Sequence, residues 1–217
     1  AVDAHFGAFA EHKVMSRTRE LRAAFGISYD APMSLAARLD PATLALRGPL
    51  DPWPAGLDKR WSAAPIAEYA ELLASFAAEA KLDEFLAGQK AYAAGVEQRY
   101  REALREVAPV RWFDGYFGPL PLARFRLVPS LSNGQNNYGV HAAFEGGQLE
   151  VYQVLGMTEL DEQGLPELGP GLEGLLVHEL AHSYVNPAVE RAWDELGEPF
   201  ERARALVAKE MQAQAYG

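Results

Sequence analysis

The sequence predicts an α+β fold with a helical N-terminal lobe, a small β-sheet, an apolar helix after the sheet and further helices at the C-terminus. Three observations support this prediction. Apolar residues recur at three- and four-residue steps through much of the first half of the chain. Three short runs after residue 120 have the composition of strands, and a strongly apolar helical run then covers residues 172–185. We place a lobe boundary where alanine-rich sequence gives way to aromatic residues, which divides the chain into 1–110 and 111–217.

The overall composition limits the classes of function. The 217 residues are 49% hydrophobic, which is enough for a full core. Lysine and arginine total 20 against 30 aspartate and glutamate, so the net charge of −10 argues against nucleic acid or an anionic membrane surface as a partner. The absence of cysteine excludes disulfides, thiolate zinc sites and cysteine nucleophiles. No apolar run reaches the length of about 18 residues that a membrane span needs.

Helical periodicity accounts for the N-terminal lobe. The run from residue 65 to about residue 89 predicts one helix, and the run from Tyr92 to Val107 predicts a second one that ends before Pro109. We expect these two helices to pack together as a hairpin. Shorter helical pieces are expected over the first 47 residues.

Three strands are predicted, over residues 122–128, 138–145 and 148–155. Gly146-Gly147 between the last two predicts a two-residue hairpin turn. That turn would pair Glu145 with Gln148 and place His141 on a polar face of the hairpin. His141 would then be either a solvent-exposed histidine or a group that assists an oxyanion.

Residues 178–182 read His-Glu-Leu-Ala-His, which is the HExxH pattern, within the apolar helix. At about 3.6 residues per turn, His178 and His182 lie one above the other on one helix face, so both imidazoles can bind one metal ion. Glu179 lies beside them and is expected to act as a general base on a water molecule. Chance produces such a match on the order of 0.01 times in a chain with this many histidines and glutamates. The pattern therefore predicts a zinc hydrolase site, and the alternative is an ordinary buried helix with two hydrogen-bonded histidines.

The surroundings of the motif predict how the helix packs. The residues between and next to the two histidines are uncharged, apart from Glu179 itself. We therefore expect the helix to be buried and the metal to lie in a partly dehydrated setting. A two-residue break is expected at Asn186-Pro187, followed by two shorter helical segments.

A catalytic zinc ion needs a third protein ligand. The long metzincin pattern requires glycine at position 185 and histidine at position 188, and the chain has Val185 and Ala188 there. A carboxylate from a following helix, as in the glutamate zincins, is the remaining choice. The glutamates available for it are Glu190, Glu195, Glu198, Glu201 and Glu210. The ligand spacing of the thermolysin-like group is closest to Glu201 among them, and a site with no third ligand in this chain is the other alternative.

The run His-Glu-Leu-Ala-His-Ser-Tyr-Val-Asn-Pro at 178–187 resembles an uncharacterised bacterial family of zincin-like metallopeptidases that is catalogued as a domain of unknown function. Asn-Tyr-Gly-Val at 137–140 and Val-Tyr-Gln-Val-Leu-Gly at 151–156 are part of the same resemblance, which covers roughly residues 112–217. It implies a zincin-like fold, zinc as the cofactor, a peptide or protein substrate, and a third acidic ligand that lies beyond residue 217. Zincins commonly bind the substrate backbone along an edge strand, and residues 138–144 would be that strand.

We therefore interpret the chain as a gluzincin-like zinc metallopeptidase, with His178 and His182 as metal ligands and Glu179 as the general base. Two other interpretations stay open, namely a catalytically inactive zincin-like binding or regulatory module and a helical interaction protein without a metal. The start at Ala1 is compatible with a removed secretion signal and with a trimmed chain, so a secreted or periplasmic location is one alternative.

Overall fold

The computed structural model describes residues 1–105, 107–120, 122–130, 133–157 and 159–215, and only the backbone of residues 190 and 207–215. Within these ranges the fold is α+β, as predicted, with nine α-helices and one three-stranded sheet. The helices are α1 Val2–Phe6, α2 Lys13–Phe25, α3 Asp30–Ala36, α4 Ile66–Glu79, α5 Leu82–Gly88, α6 Lys90–Ala103, α7 Pro109–Phe117, α8 Leu172–Arg191 and α9 Trp193–Ala215. The strands are β1 Ala123–Ser130, β2 Tyr138–Ala143 and β3 Leu149–Gly156.

The core of the N-terminal lobe forms around Trp61, which is 1% exposed and whose indole N–H donates to a backbone carbonyl of α3 at 2.8 Å. Apolar residues of α2, α3 and α4 surround it. The single helix predicted over residues 65–89 is wrong, because the chain turns between α4 and α5 at Lys81, whose φ is +50°. His5 donates to the Ala80 carbonyl at 2.7 Å, so packing by the N-terminus stabilises a break that periodicity alone does not reveal.

Helix α6 packs on the sheet and on α8, and not as half of the predicted hairpin with α4. Its buried residues Val96 and Tyr100 share a core with Leu155 of β3 and Leu176 of α8. An amphipathic helix can bury its apolar face against any apolar surface of suitable shape, so the sequence predicts the face but not its partner.

Strand β3 forms the centre of the sheet, with β1 parallel to it on one side and β2 antiparallel to it on the other. The three predicted strands are confirmed to within two residues at each end. Val140 and Ala142 of β2 pack against Met33 and Ala37 at α3. Successive side chains alternate between the two faces of a sheet, so the residues between them on β2 face the opposite way, toward α8.

The predicted pairing of β2 with β3 is wrong by one residue. His141 pairs with Val151, not with Tyr152, and the N–H of Phe144 donates to the Gln148 carbonyl at 2.9 Å. The connection has three residues, Glu145–Gly147, and both of its glycines have positive φ. His141 lies opposite Val140 and Ala142, as predicted, but its face packs against α8 instead of facing solvent, and His141 is half-buried there. The shift changes the residues of β3 that share this face, which are Val151 and Gln153 in place of Glu150 and Tyr152.

Helix α8 continues through Pro187, and α9 continues through Pro199, so the predicted break at Asn186-Pro187 is wrong. The C-terminal region is helical, as predicted, but it consists of the end of α8 and one long helix, α9, instead of two shorter segments. Proline has no N–H to donate, so the Ser183 carbonyl, four residues earlier, lacks its usual helical donor. In the described ranges, no helix combines the length and the apolar character that a membrane crossing requires.

A buried carboxylate, Glu150 of β3, joins the N-terminal lobe to the sheet. Arg47 donates to it at 2.6 Å and the Tyr152 hydroxyl donates to it at 2.6 Å. Glu150 is 3% exposed. The hydrogen bond from Arg47, with help from Tyr152, outweighs the effect of burial and lowers the pKa of Glu150 to about 2. The guanidinium of Arg47 also lies 4.0 Å from the centre of the Phe144 ring.

This pair predicts a specific dependence of stability on pH. Because the folded-state pKa of Glu150 lies below its unfolded value of 4.5, its contribution is present above about pH 4.5 and is lost as the pH falls toward 2. The loss is on the order of 3 kcal/mol in the free energy of unfolding. Arg47→Met should remove most of this dependence, measured by urea denaturation across that pH range.

Arg101→Met is the matched control, since Arg101 forms an exposed pair with Glu97 on α6. It should leave the pH dependence of the unfolding free energy as in the wild type. Equal pH profiles for the two variants would contradict the role of the Arg47–Glu150 pair.

Candidate metal centre

The buried face of α8 fixes how this helix sits on the sheet. Leu180 and Tyr184 pack with Phe113 of α7 and Phe125 of β1. The Tyr184 hydroxyl donates to Asp114 at 2.8 Å, and burial together with this hydrogen bond raises the pKa of Tyr184. Tyr184 is therefore a core residue.

The two histidines of the motif lie on the opposite, exposed side of α8. The rings of His178 and His182 have their centroids 5.1 Å apart and are nearly perpendicular, at 85°. Two imidazoles that share a tetrahedral zinc ion with Zn–N distances of about 2.0–2.1 Å have centroids about 5 Å apart. The spacing of the rings therefore fits a shared zinc ion. The expectation that the ligand face is buried is wrong, because the sheet and α7 cover only the other face of the helix.

Asn186, which was expected to be part of a helix break, lies beside the two histidines on α8. Its side-chain amide lies 3.4 Å from Nδ1 of His182, one helical turn away. A contact on Nδ1 leaves Nε2 of His182 for a metal, and such contacts orient histidine ligands in metal sites. The continuity of α8 through Pro187 is what places Asn186 on the same face as His182.

Glu179 occupies the border between the exposed histidine face and the buried face of α8. It is 7% exposed, and its carboxylate lies against β2. A Cβ atom at Gly139 would lie 2.9 Å from the Glu179 backbone oxygen and 3.3 Å from Oε2. Glycine at this position of β2 therefore lets the helix and the carboxylate approach the strand closely.

No third acidic or histidine ligand joins the pair among the described residues, in which no group of three His, Asp or Glu side chains is arranged to hold a metal. Glu201, the ligand that spacing favours, is exposed on α9 and lies 3.5 Å from Arg204. Glu195 and Glu198 are exposed on the same helix. The side chains of Glu190 and Glu210 lie outside the described residues. His178 and His182 are therefore the candidate donors, and imidazole is a ligand type that suits zinc.

A cleft of about 760 Å³ opens beside the motif. The lining from α8 comprises His182, Ser183, Asn186 and Pro187, and His178 is not part of it. Residues 139–141 of β2 form one wall, and residues 53–59 of the N-terminal lobe form another. His141, which the predicted register placed on the solvent side of the hairpin, therefore faces the same cleft as His182.

The outer edge of β2, expected to bind a substrate strand, is partly covered by the N-terminal lobe. Arg38 donates to the Ala143 carbonyl at 3.2 Å and also to the Ala55 carbonyl. Gly56 lies so close to the His141 carbonyl that a Cβ atom there would overlap it. The edge is therefore occupied at His141 and Ala143, and the part nearest Glu179, at Gly139, borders the cleft.

A comparison with protein families finds a match over residues 1–217 with the family described as "Domain of unknown function (DUF4932)". The match spans both predicted lobes, beyond the region 112–217 that carries the resemblance. No curated protein and no solved structure matches the chain.

The close approach at Gly139 predicts opposite effects for two glycine substitutions. Gly139→Ala should lower the free energy of unfolding by about 1–3 kcal/mol, because the new methyl group meets the backbone of α8. Gly174→Ala should raise it by about 0.5–1 kcal/mol, because Gly174 lies within α8 with open space around its Cα. Chemical denaturation measures both. A Gly139→Ala variant as stable as Gly174→Ala would contradict the packing described here.

Proposed function

We propose that this chain, which belongs to the family described as "Domain of unknown function (DUF4932)", is a zinc-dependent metallopeptidase of the zincin type. His178 and His182 would hold the metal, and Glu179 would be the general base. The observation that carries the proposal is the 5.1 Å separation of the two exposed imidazole rings, on a helix that lines a cleft through His182 and holds the Glu179 carboxylate against β2.

His178 and His182 would hold zinc, which when bound would supply Lewis acidity toward a peptide carbonyl and a water molecule. Asn186 would keep the His182 ring oriented through Nδ1. Imidazole nitrogens are the donors present, which agrees with the absence of cysteine from the chain.

Glu179 would move the proton in both halves of the reaction. Its carboxylate takes a proton from the attacking water and then passes it to the departing amine, so no proton is gained or lost overall. Its position against Gly139 holds the carboxylate beside the part of the β2 edge that borders the cleft. A peptide backbone that reaches Gly139 would thus have its carbonyl between the edge of β2 and the histidine face of α8.

One observation favours a second candidate function, a zinc-binding module without hydrolytic activity. A third His, Asp or Glu ligand is not found near His178 and His182 in the described ranges. Two imidazoles alone would bind zinc more weakly than a complete three-ligand site. The same purified chain can decide between the two functions, because zinc content and peptide cleavage are measured separately.

If Glu179 is the general base, its substitution should abolish cleavage without affecting zinc binding. Glu179→Gln should keep the zinc content of the wild type and lose hydrolysis by about 100-fold or more, because the amide cannot accept the proton. His178→Ala should lose both zinc and hydrolysis. Zinc is measured by elemental mass spectrometry after dialysis, and cleavage by mass spectrometry of a random peptide mixture.

Two variants are the controls for this experiment. Glu173→Gln changes an exposed glutamate on the same helix, and His5→Ala changes a histidine of the N-terminal lobe. Both variants should keep the zinc content and the cleavage activity of the wild type. Zinc binding without cleavage in the wild type would support the inactive module. Cleavage by Glu179→Gln would refute its role as the base, and zinc retained by His178→Ala would refute the metal site.

A further inference from the structure

We propose that Gln153, in the centre of β3, is a positioning residue, and that a rotation of its unpartnered side chain brings its amide into a hydrogen bond with the Glu179 carboxylate. This inference rests on the proposed function for its consequence in catalysis, but the contact itself can be tested without zinc or substrate. Gln153 would hold the general base in one orientation while leaving one carboxylate oxygen for the water molecule.

Gln153 is a buried polar side chain that lacks a partner. It is 3% exposed, and neither Oε1 nor Nε2 has a hydrogen-bond partner among the described residues. A buried polar group left without a partner costs about 1–3 kcal/mol. An apolar residue of similar size would avoid that cost, so a glutamine here indicates a polar partner in the same layer.

The register of the sheet places this amide beside Glu179. Gln153 pairs with Gly139, so the two residues are direct neighbours on the face that packs against α8. Gly139 has no side chain, and the space above it is occupied by Glu179 Oε2, at 3.3 Å from the Cβ position. The side chain of Gln153 therefore projects from the sheet beside the space that the Glu179 carboxylate occupies.

The neighbours of Gln153 on this face from β1 and along β3 are apolar. They are Leu127, which pairs with it from β1, and Val151 and Leu155, two residues away along β3. His141 of β2 is a diagonal neighbour on the same face, but its carbonyl and ring lie against Gly56 at the outer edge of the strand. We therefore expect the polar partner on α8. The buried polar side chains of α8, within its described residues, are Glu179 and Ser183.

Glu179 is favoured over Ser183 for two reasons. It is the residue that contacts Gly139, directly opposite Gln153, whereas Ser183 lies one turn further along and lines the cleft. A hydrogen bond to a carboxylate is also about twice as strong as one between neutral groups. A neutral amide donor suits a general base, because it orients the carboxylate without adding a positive charge that would lower its basicity.

The contact is tested by NMR on the metal-free chain. Side-chain amide resonances of Gln153 in the ¹⁵N-labelled wild type are assigned through the backbone. They should move in Glu179→Gln, and should stay in place in Ser183→Ala and in Glu173→Gln, which changes an exposed glutamate of α8. If the Gln153 resonances do not shift in Glu179→Gln, or if they shift in Ser183→Ala instead, Glu179 is not the hydrogen-bond partner.

The effect of this contact on catalysis is tested by steady-state kinetics on the zinc-loaded chain. Gln153→Met keeps the length of the side chain and removes its donors, and should lower kcat by about tenfold or more at an unchanged KM and zinc content. Gln148→Met, next to β3 in a separate network with Glu150, should leave kcat unchanged. A wild-type kcat in Gln153→Met would overturn the positioning role.

The two readouts keep this inference separate from the proposed function. If the wild type hydrolyses no peptide, the proposed function fails, and the NMR result still decides whether Gln153 contacts Glu179. If the wild type is active and the resonances do not respond to Glu179→Gln, the inference fails and the proposed function stands.

Discussion

The close contact between α8 and the start of β2 is the constraint on which the rest of the site depends. Because Gly139 has no side chain, the backbone and carboxylate of Glu179 reach the strand. This contact fixes the rotation of the helix about its axis. Leu176, Leu180 and Tyr184 then face the core, and His178 and His182 face solvent together. A bulkier residue at position 139 would rotate α8 or move it away from the sheet. Either change would alter the core-facing side of the helix and the side that carries the two histidines.

Local patterns in the sequence predicted the parts of the fold that depend on neighbouring residues. The HExxH spacing predicted that His178 and His182 share a helix face, and alternation predicted the three strands. The register of β2 could not be predicted, because it depends on a three-residue turn with two glycines at positive φ. The passage of α8 through Pro187 could not be predicted either, because packing of the helix outweighs the lost hydrogen bond there.

The cleft itself is built from segments far apart in the chain, which is why sequence spacing does not reveal it. Residues 53–59 of the N-terminal lobe lie across from His182 and cover part of the β2 edge. Arg38 and Arg47 attach that lobe to the sheet at Ala143 and Glu150. The shape of the cleft is thus set by contacts between the lobes, whereas the HExxH residues all lie on a single helix.

The most direct test of the metal centre is X-ray absorption at the zinc edge, recorded on the zinc-loaded chain and on His182→Ala. If His178 and His182 hold the ion, the wild type should show outer-shell scattering from two imidazoles, with Zn–N distances of about 2.0–2.1 Å, and the variant scattering from one fewer. A wild-type spectrum without imidazole scattering, or a spectrum unchanged in His182→Ala, would contradict this assignment of the ligands.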